Sequence, residues 1–400
     1  MASVEERIIE KPSWIQRLGS SFRGVLTGFA LFIAGIVLLF WNEGRAVNTA
    51  KRLKEGAAAV VEVSADQVEP ANEGKLVHVS GKADTQDVLL DEEFGISVNA
   101  LHLQRTVEVY QWVEHSKTER VGENKERTTY THKLEWTTKH VDSSEFHNAP
   151  SQAVNPSAPP RFENREFFAG NVSLGAFKLS EEHVKRITVW KEFAFPTNYA
   201  VPASMKYEKG AKYVYVPVDA NALENKFAQF AGLTRSVAMQ PKPGDLRVSF
   251  KVVLPCDVSI IQGQKGDALV PWTTPKGEVL PLMVSNGTVP AKAMFAKAQS
   301  ANATLTWFLR FAGILVMYIG LKGVLGPLDT LVDAIPILNG IVAMGTSLAA
   351  GLVAGACGLL TIGISWIYHR PWVGIPLVLG GVGLLVMVIL KKKKASAATV

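Results

Sequence analysis

Ile335 to Ile367, IPILNGIVAMGTSLAAGLVAGACGLLTIGISWI, runs for 33 residues without a charged side chain. A helix needs about 20 apolar residues to cross about 30 Å of hydrocarbon. The stretch is too long for one untilted span. It predicts an interfacial segment at 326–340 followed by a span at 341–367. Just upstream, 305–325 is a further apolar helix, with Arg310 near one end, where its side chain can snorkel. Downstream lies another at 373–390, after the tight connection Tyr368-His-Arg-Pro371 within 368–372. Near the start, GVLTGFALFIAGIVLLFW at 24–41 gives 18 residues free of charge. It is long for the core of a signal peptide, and no small-x-small cleavage site follows, so it reads as an uncleaved signal anchor.

Charge is distributed to match. The 400 residues carry 42 Lys and Arg against 36 Asp and Glu. Residues 1–45 hold a net +1, 46–300 are balanced at 30 of each sign, and 301–400 hold +5, four of it from Lys391 to Lys394. This excludes a fully soluble chain, a disordered one, and a nucleic-acid binder with a broad basic face. Two cysteines, Cys256 in the globular middle and Cys357 in the apolar run, make neither a disulfide framework nor a zinc spacing.

The fold class expected is α+β. It is a polytopic helical membrane protein with four transmembrane helices and a large β-rich extracytoplasmic domain at 42–304, inserted between helices one and two. The basic tail at 391–400 marks the cytoplasmic side, and four spans return the segment 1–23 to that same side. Trp41, Trp307, Trp366 and Trp372 fall at span ends, the position of an aromatic belt. The spans are poor in ionisable groups and rich in glycine. Gly351 and Gly355 form a small-xxx-small pair. It serves either packing among the spans of one chain, the reading we favour, or self-association.

In the middle region, Lys75 to Gly81 alternates as a strand does. Arg105–Glu114 and Arg127–His140 alternate on either side of the polar stretch 116–126, predicting a hairpin with that stretch as its loop. Tyr110, Trp112, Tyr130 and Trp136 supply cross-strand aromatic pairs. Leu179 to Ile187 reads as a short helix capped by Ser180, and 142–160 as a loop. Lys212–Val218, Gly244–Leu254, Val258–Gln262 and Ala268–Trp272 follow as strands. The similar openings at Asn72 and Pro243 allow an internal repeat.

Chemistry is sparse. No HExxH, GxSxG, GxGxxG or Walker A pattern occurs. His132 and His140 share parity on one expected strand, and His115 lies on its partner, which leaves a metal site open; a solvated hairpin face is the other reading. Glu181-Glu182-His183 imitates an acid–base cluster, yet the first turn of a helix attracts carboxylates anyway. No catalytic, cofactor-binding or metal residue is assigned. At the first span's exit, Asn42-Glu43-Gly44-Arg45 places two charges in the headgroup zone, where Arg45 either pairs with its neighbour or binds anionic lipid. Asp333 with Asp329 is read as a cap for the interfacial helix, with contact to a partner as the other reading. Asn171-Val-Ser and Asn286-Gly-Thr are glycosylation acceptors if the domain faces a eukaryotic lumen.

Seven short motifs, in order, resemble the LUMA family, also called the transmembrane protein 43 family. They are Asn42-Glu-Gly-Arg-Ala46, Asn72-Glu-Gly-Lys-Leu-Val-His78, Tyr110-Gln-Trp-Val-Glu114, Gly244-Asp-Leu-Arg-Val-Ser-Phe250, Leu269-Val-Pro271, Thr330-Leu-Val-Asp333 with Pro336, and Tyr368-His-Arg-Pro371. The motif residues singled out are Asn42, Glu43, Gly44, Arg45, Tyr110, Gln111, Trp112, Gly244, Asp245, Leu246, Arg247, Asp333, Pro336, Arg370 and Pro371. The stretch 142–235 and the N-terminus before Gly24 depart from the pattern. The resemblance implies a four-span protein with a large lumenal domain. In animals it implies the endoplasmic reticulum and inner nuclear membrane, and a self-associating scaffold that contacts emerin and lamins. No motif for those partners is legible in this chain. A bacterial member would sit in the cytoplasmic membrane with its domain in the periplasm.

The leading expectation is therefore a non-enzymatic membrane organiser that forms homo-oligomers and presents its β-rich domain to protein or lipid partners, with no cofactor and no nucleic acid. A membrane-anchored enzyme acting on lipid or envelope substrates is the alternative, and an oligomeric channel ranks below it.

Overall fold

The computed structural model describes residues 6–10, 14–122, 125–147, 149–202, 204–208, 210–218, 241–332 and 336–376. The chain divides into two compact units. One comprises residues 1–11, 60–272 and 281–291; the other comprises 12–59, 273–280 and 292–400.

The second unit is helical. Its helices are α1 (Trp14–Ala59), α3 (Ala291–Val332) and α4 (Pro336–His369). Each contains a segment long and apolar enough to cross a membrane: Gly24–Ala59, Ala291–Pro327 and Gly345–His369. At 1.5 Å per residue α1 is about 69 Å long, over twice the hydrocarbon thickness. It therefore projects well beyond the 18-residue apolar run that identified it. No separate interfacial element interrupts 326–332, where α3 continues through Pro327, and α4 begins at Pro336. After Arg370 the chain turns and is helical again over 371–376. Most of the expected span at 373–390, the basic tail 391–400 and Asp333 lie outside the described residues.

Glycine sets the α1–α3 crossing. A Cβ on Gly28 would lie 2.4 Å from the Gly320 carbonyl oxygen, and one on Gly320 would lie 2.5 Å from that of Gly28. Gly35 admits Met317, Gly313 admits Leu39, and Gly358 of α4 admits Ile314. Leu39, Met317 and Ala354 form the buried centre of this unit. Gly351 and Gly355 do not take part. A Cβ on Gly351 would meet only Tyr318, at 4.0 Å, and one on Gly355 nothing within 4 Å among the described residues. Among the described residues the pair makes no close crossing, and the expected span at 373–390 lies largely outside them.

The first unit is β-rich. One sheet contains β1 (Glu6–Glu10), β6 (His102–Gly122), β7 (Lys125–Thr137), β8 (Arg165–Phe168), β11 (Lys191–Glu192), β12 (Tyr213–Val216) and β13 (Leu246–Val253). The other contains β2 (Val61–Val63), β3 (Leu76–Thr85), β9 (Val172–Leu174), β10 (Phe177–Leu179), β14 (Cys256–Lys265), β15 (Ala268–Val270) and β16 (Met283–Asn286). A hairpin of β4 (Val88–Asp91) and β5 (Ile96–Asn99) stands apart, and α2 (Glu181–Lys185) is the one α-helix in this unit among the described residues. One core joins both sheets: Leu103, Val107, Val248 and Phe250 come from the first, Val77, Val79, Val258 and Ile260 from the second. In β13, Leu246, Val248, Phe250 and Val252 alternate inward, the period expected of a strand with one buried face.

One expectation is corrected. The stretch 116–126 is not a hairpin loop, because β6 runs to Gly122 and β7 starts at Lys125, paired from Val109↔Thr137 to Gly122↔Lys125. The side chains of 116–119 are exposed, and the Thr118 and Thr128 hydroxyls lie 2.9 Å apart across the strands. The strands after Gly244 divide between the two sheets. β13 pairs with β6 and β14 with β3, so the chain changes sheets at Leu254-Pro255. Proline lacks the N–H a ladder requires and marks that break.

β1 pairs antiparallel with β7, from Glu6↔Thr129 to Glu10↔Lys125. A bilayer-crossing α1 would put residues 6–10 and β7 on opposite faces, so this pairing and the expected cytoplasmic placement of 1–23 exclude one another.

Candidate functional site

The polar end of the α1 apolar run is where the sequence motifs converge. Asn42 to Arg45 occupy the helix just past Trp41, and their side chains engage both other long helices. Glu43 is buried, with its side chain 1% exposed. Its Oε1 accepts from Arg310 Nε at 2.6 Å, and its Oε2 from Arg310 Nη2 at 2.9 Å and Trp366 Nε1 at 2.8 Å. The Arg310 guanidinium also lies 4.6 Å from the Trp307 ring centroid and 5.6 Å from that of Trp366. Bidentate geometry and stacking are what arginine supplies and lysine does not.

Arg45 does not pair with Glu43. Its guanidinium donates to Asn42 Oδ1 at 3.1 Å, Asn302 Oδ1 at 3.0 Å and Thr306 Oγ1 at 3.0 Å. Asn42 Nδ2 donates to the Thr306 carbonyl, and Asn302 Nδ2 to that of Ala46. Gly44 faces His369, whose ring would lie 2.8 Å from a Cβ there. Ser365 Oγ donates to the Phe40 carbonyl. The seam thus joins α1 to α3 and α4 at one level.

Arg310, read from sequence as a snorkelling residue, is the counter-charge of a buried carboxylate. Trp366, read as a belt residue, is that carboxylate's third donor. Asn302 and Thr306 went unread. With Arg310 they recur every fourth residue, the one signal that places them on a single helix face. Chemically the seam is closed: Glu43 already accepts three hydrogen bonds, which suits a clasp rather than a base.

The other motif residues lie in the β-rich unit. Tyr110 packs on Trp136 across the β6–β7 ladder, with centroids 5.1 Å apart. Trp112 faces Leu134 instead, and Tyr130 stacks on His147. Gln111 is buried; its Oε1 accepts from Val141 N, and its Nε2 donates to the Lys139 carbonyl and to Thr137 Oγ1. Trp112 exchanges backbone hydrogen bonds with the Asn155 side chain. Gly244 has φ +96°, and a Cβ there would lie 2.8 Å from Pro156. Asp245 accepts from Lys242 N, Val218 N and the Tyr215 hydroxyl. Burial first, then that bond, raises the Tyr215 phenol above its ordinary range. Leu246 is in the core, and Arg247 clasps Glu108 at 2.5 and 2.8 Å beneath Trp136. These residues lock loops to the sheet.

The histidine readings resolve similarly. β7 ends at Thr137, so His140 does not share its strand with His132. His132 meets Glu114 at 3.1 Å and His115 meets Glu135 at 3.1 Å, and adjacent residues 114 and 115 point to opposite faces. Glu114 also receives His147; burial works to raise its carboxyl, and the hydrogen bonds from His147 and His132 outweigh that, holding it below its ordinary range. Among the described residues no His, Cys, Asp and Glu cluster is placed to hold a metal. His183 is no acid–base group on the surface. It is buried, accepts the Ser180 backbone N–H at Nδ1 and meets Gln262 at Nε2, completing the cap of α2. Pro336 opens α4, and Arg370 and Pro371 follow its last residue.

A mixed α+β chain with membrane-length helices and a large β-rich domain defines an integral membrane protein whose sequence motifs build internal clasps. Comparison with known proteins is consistent throughout. The sequence model of the family described as Transmembrane protein 43 matches residues 109–371. Transmembrane protein 43 of Rattus norvegicus is 33% identical over 375 residues, 90% of this chain and 88% of its own length. The Homo sapiens protein is 32% identical over 382 residues, covering 92% and 90%. The Drosophila melanogaster homolog is 29% identical over 377 residues, covering 92% and 94%. The chain belongs to the transmembrane protein 43 family. No solved structure matches it.

Proposed function

We propose that this chain is a non-enzymatic organiser of the membrane, which self-associates through α4 and presents its β-rich unit to protein or lipid partners. Four spans, cytoplasmic termini and a β-rich unit facing a periplasm or lumen complete the reading. The observation that carries it is a face of α4 that the described residues leave bare. Gly28 and Gly35 of α1 and Gly313 and Gly320 of α3 are consumed in close crossings, while Gly351 and Gly355 have no such neighbour among the described residues. Leu348, Leu352, Leu359 and Leu360 are exposed along the same helix. A small-residue face that a chain does not fill itself lets a second helix approach closely. The non-enzymatic part is supported by the closed seam at Glu43. Among the described residues, the cavity of about 590 Å³ beside Trp136, Tyr207 and Tyr215 is also lined by no histidine–carboxylate couple.

The test is chemical crosslinking in native membranes with Gly351→Ile/Gly355→Ile beside the unaltered chain, followed by native mass in nanodiscs. A defined oligomer that the double variant reduces to monomer supports the reading. Monomer throughout, or an oligomer indifferent to the substitutions, overturns it. Loss of the folded monomer in the double variant would assign the face to a further helix of the same chain, and that too overturns it.

A further inference from the structure

Beside the seam, α1 and α3 border a recess of about 390 Å³, within the size range of small-molecule sites, about 300–1,000 Å³. Its walls include Glu43, Lys54, Gln299, Trp307, Arg310 and Arg370. Charge inside it does not cancel. Glu43 is spent on Arg310. Lys54 and Arg370 are exposed, and among the described residues neither has an acidic partner. The recess therefore carries two cations in excess, with the Gln299 amide on its wall as a neutral donor.

Its surroundings are equally specific. Trp307, on its wall, is 68% exposed, and Phe308 and Phe311 on α3 are 65% and 66% exposed. A cationic polar pocket thus opens directly onto an apolar surface of membrane-length helices. A soluble anion would use the first half of that arrangement and leave the second uncovered. A phospholipid uses both.

We propose that this recess binds the phosphate-bearing headgroup of an anionic phospholipid, on the membrane face where α1 ends and α3 begins. Lys54 and Arg370 meet the phosphate and the headgroup charge. Trp307 lies at the level of the glycerol, and the acyl chains run along Phe308 and Phe311. A zwitterionic headgroup brings no net charge to offset two cations, so the site discriminates by charge. The assignment holds whether or not the chain self-associates, since its readout is lipid retained per protomer rather than oligomer mass.

The experiment uses the full chain purified in detergent and exposed to an equimolar mixture of phosphatidylglycerol and phosphatidylcholine, with retained lipid counted by native mass spectrometry. Each cation near a lipid surface contributes about a fivefold change in affinity, so the expected preference for phosphatidylglycerol is about 25-fold. Lys54→Gln/Arg370→Gln removes it, whereas Lys297→Gln, an exposed cation of α3 outside the recess, leaves it intact. Both recess positions are exposed, so the double variant keeps the thermal midpoint of the unaltered chain, which verifies folding. Equal retention of the two lipids overturns the proposal, as does a preference that survives the double substitution. Displacement of phosphatidylglycerol by millimolar inorganic phosphate or glycerol phosphate would assign the site to a soluble phosphate and overturn the lipid assignment.

Discussion

Glu43 and Arg45 stand two residues apart on a helix, and 3.6 residues per turn put them about 200° apart around it. They cannot face one another, so each finds its partner on another helix. The motif Asn42-Glu-Gly-Arg45 is legible in the sequence, but its partners depend on which helix packs against which face, and a one-dimensional pattern does not carry that. Arg310 pairs with Glu43 in a setting where removing one partner strands a buried charge. Such losses cost about 3–5 kcal/mol. Arg310→Ala is expected to lower the thermal midpoint of the purified protein markedly, followed by tryptophan fluorescence. Glu43→Gln/Arg310→Gln, which strands no charge, recovers most of it. A double variant no better than Arg310→Ala would show that the pair is not the clasp described. His102 offers a second test. Its ring is buried between Phe168 and Trp190, with centroids 4.0 and 4.4 Å away, and neither nitrogen has a hydrogen-bond partner among the described residues. Burial first lowers its pKa from the ordinary 6.5, against the attraction of Glu166. The folded state therefore takes up a proton less readily than the unfolded one. The stability it contributes is complete above pH 6.5 and is lost as pH falls below that value toward the lowered folded pKa. His183, also lowered by burial, acts in the same direction. Thermal midpoints measured from neutral pH downward should fall, and His102→Phe should flatten the decline while leaving stability at neutral pH unchanged or higher. An unaltered slope in that variant would refute the role of His102.

At the level of elements, the helices were the easiest to read, because charge-free runs need no partner to identify them. The strands with one buried face were legible for the same reason: β13 alternates because one side of it meets the core. What alternation could not reveal was the outer part of the β6–β7 ribbon, whose sequence is polar on both faces and leaves no period of apolar side chains. It could not reveal the change of sheet at Pro255 either, since strands in different sheets read alike. Glycine was legible as a class, yet its division of labour was not. Gly351–Gly355 carries the recognised spacing, while Gly28 and Gly320, distant in sequence, make the close crossing. The consequence is a sharp contrast between substitutions. A Cβ on Gly320 would sit 2.5 Å from one backbone atom and 2.6 Å from another, leaving no flexible group to yield. Gly320→Leu should cost at least the overpacking range of about 1–3 kcal/mol and reduce the folded yield in membranes. Gly363, whose Cβ would meet nothing within 4 Å among the described residues, should accept alanine with no loss. Equal tolerance at the two positions, scored by detergent-extracted monodisperse protein, would contradict the crossing.

The whole molecule turns on how many times the chain crosses the bilayer, and two features press in opposite directions. Three described helices have membrane length, and an odd number of crossings separates the two termini. The basic run Lys391–Lys394 and the apolar residues before it argue for a fourth crossing, which would reunite the termini on the cytoplasmic side. The β1–β7 pairing argues for something else, because it joins residues 6–10 to a strand that lies beyond α1. Single cysteines at Ala2, Ser151 and Ser396, in a background with Cys256→Ser and Cys357→Ser, separate all three arrangements by labelling with an impermeant maleimide in sealed vesicles. Four crossings put Ala2 and Ser396 on the cytoplasmic face and Ser151 on the other, and that is the expected result. Three crossings leave Ser396 with Ser151 and apart from Ala2. If Ala2 labels with Ser151, the β1–β7 pair persists in the membrane and α1 does not traverse it. The four-helix energetics favour the first outcome. Burying the run at 24–41 in hydrocarbon gains transfer free energy across 18 charge-free residues, whereas the β1–β7 ladder offers five register pairs. Each backbone hydrogen bond is worth about 0.5–1.5 kcal/mol net, and each fully buried large apolar side chain about 1.5–3 kcal/mol, so the span outweighs the ladder and the N-terminus should be found on the face opposite the β-rich unit.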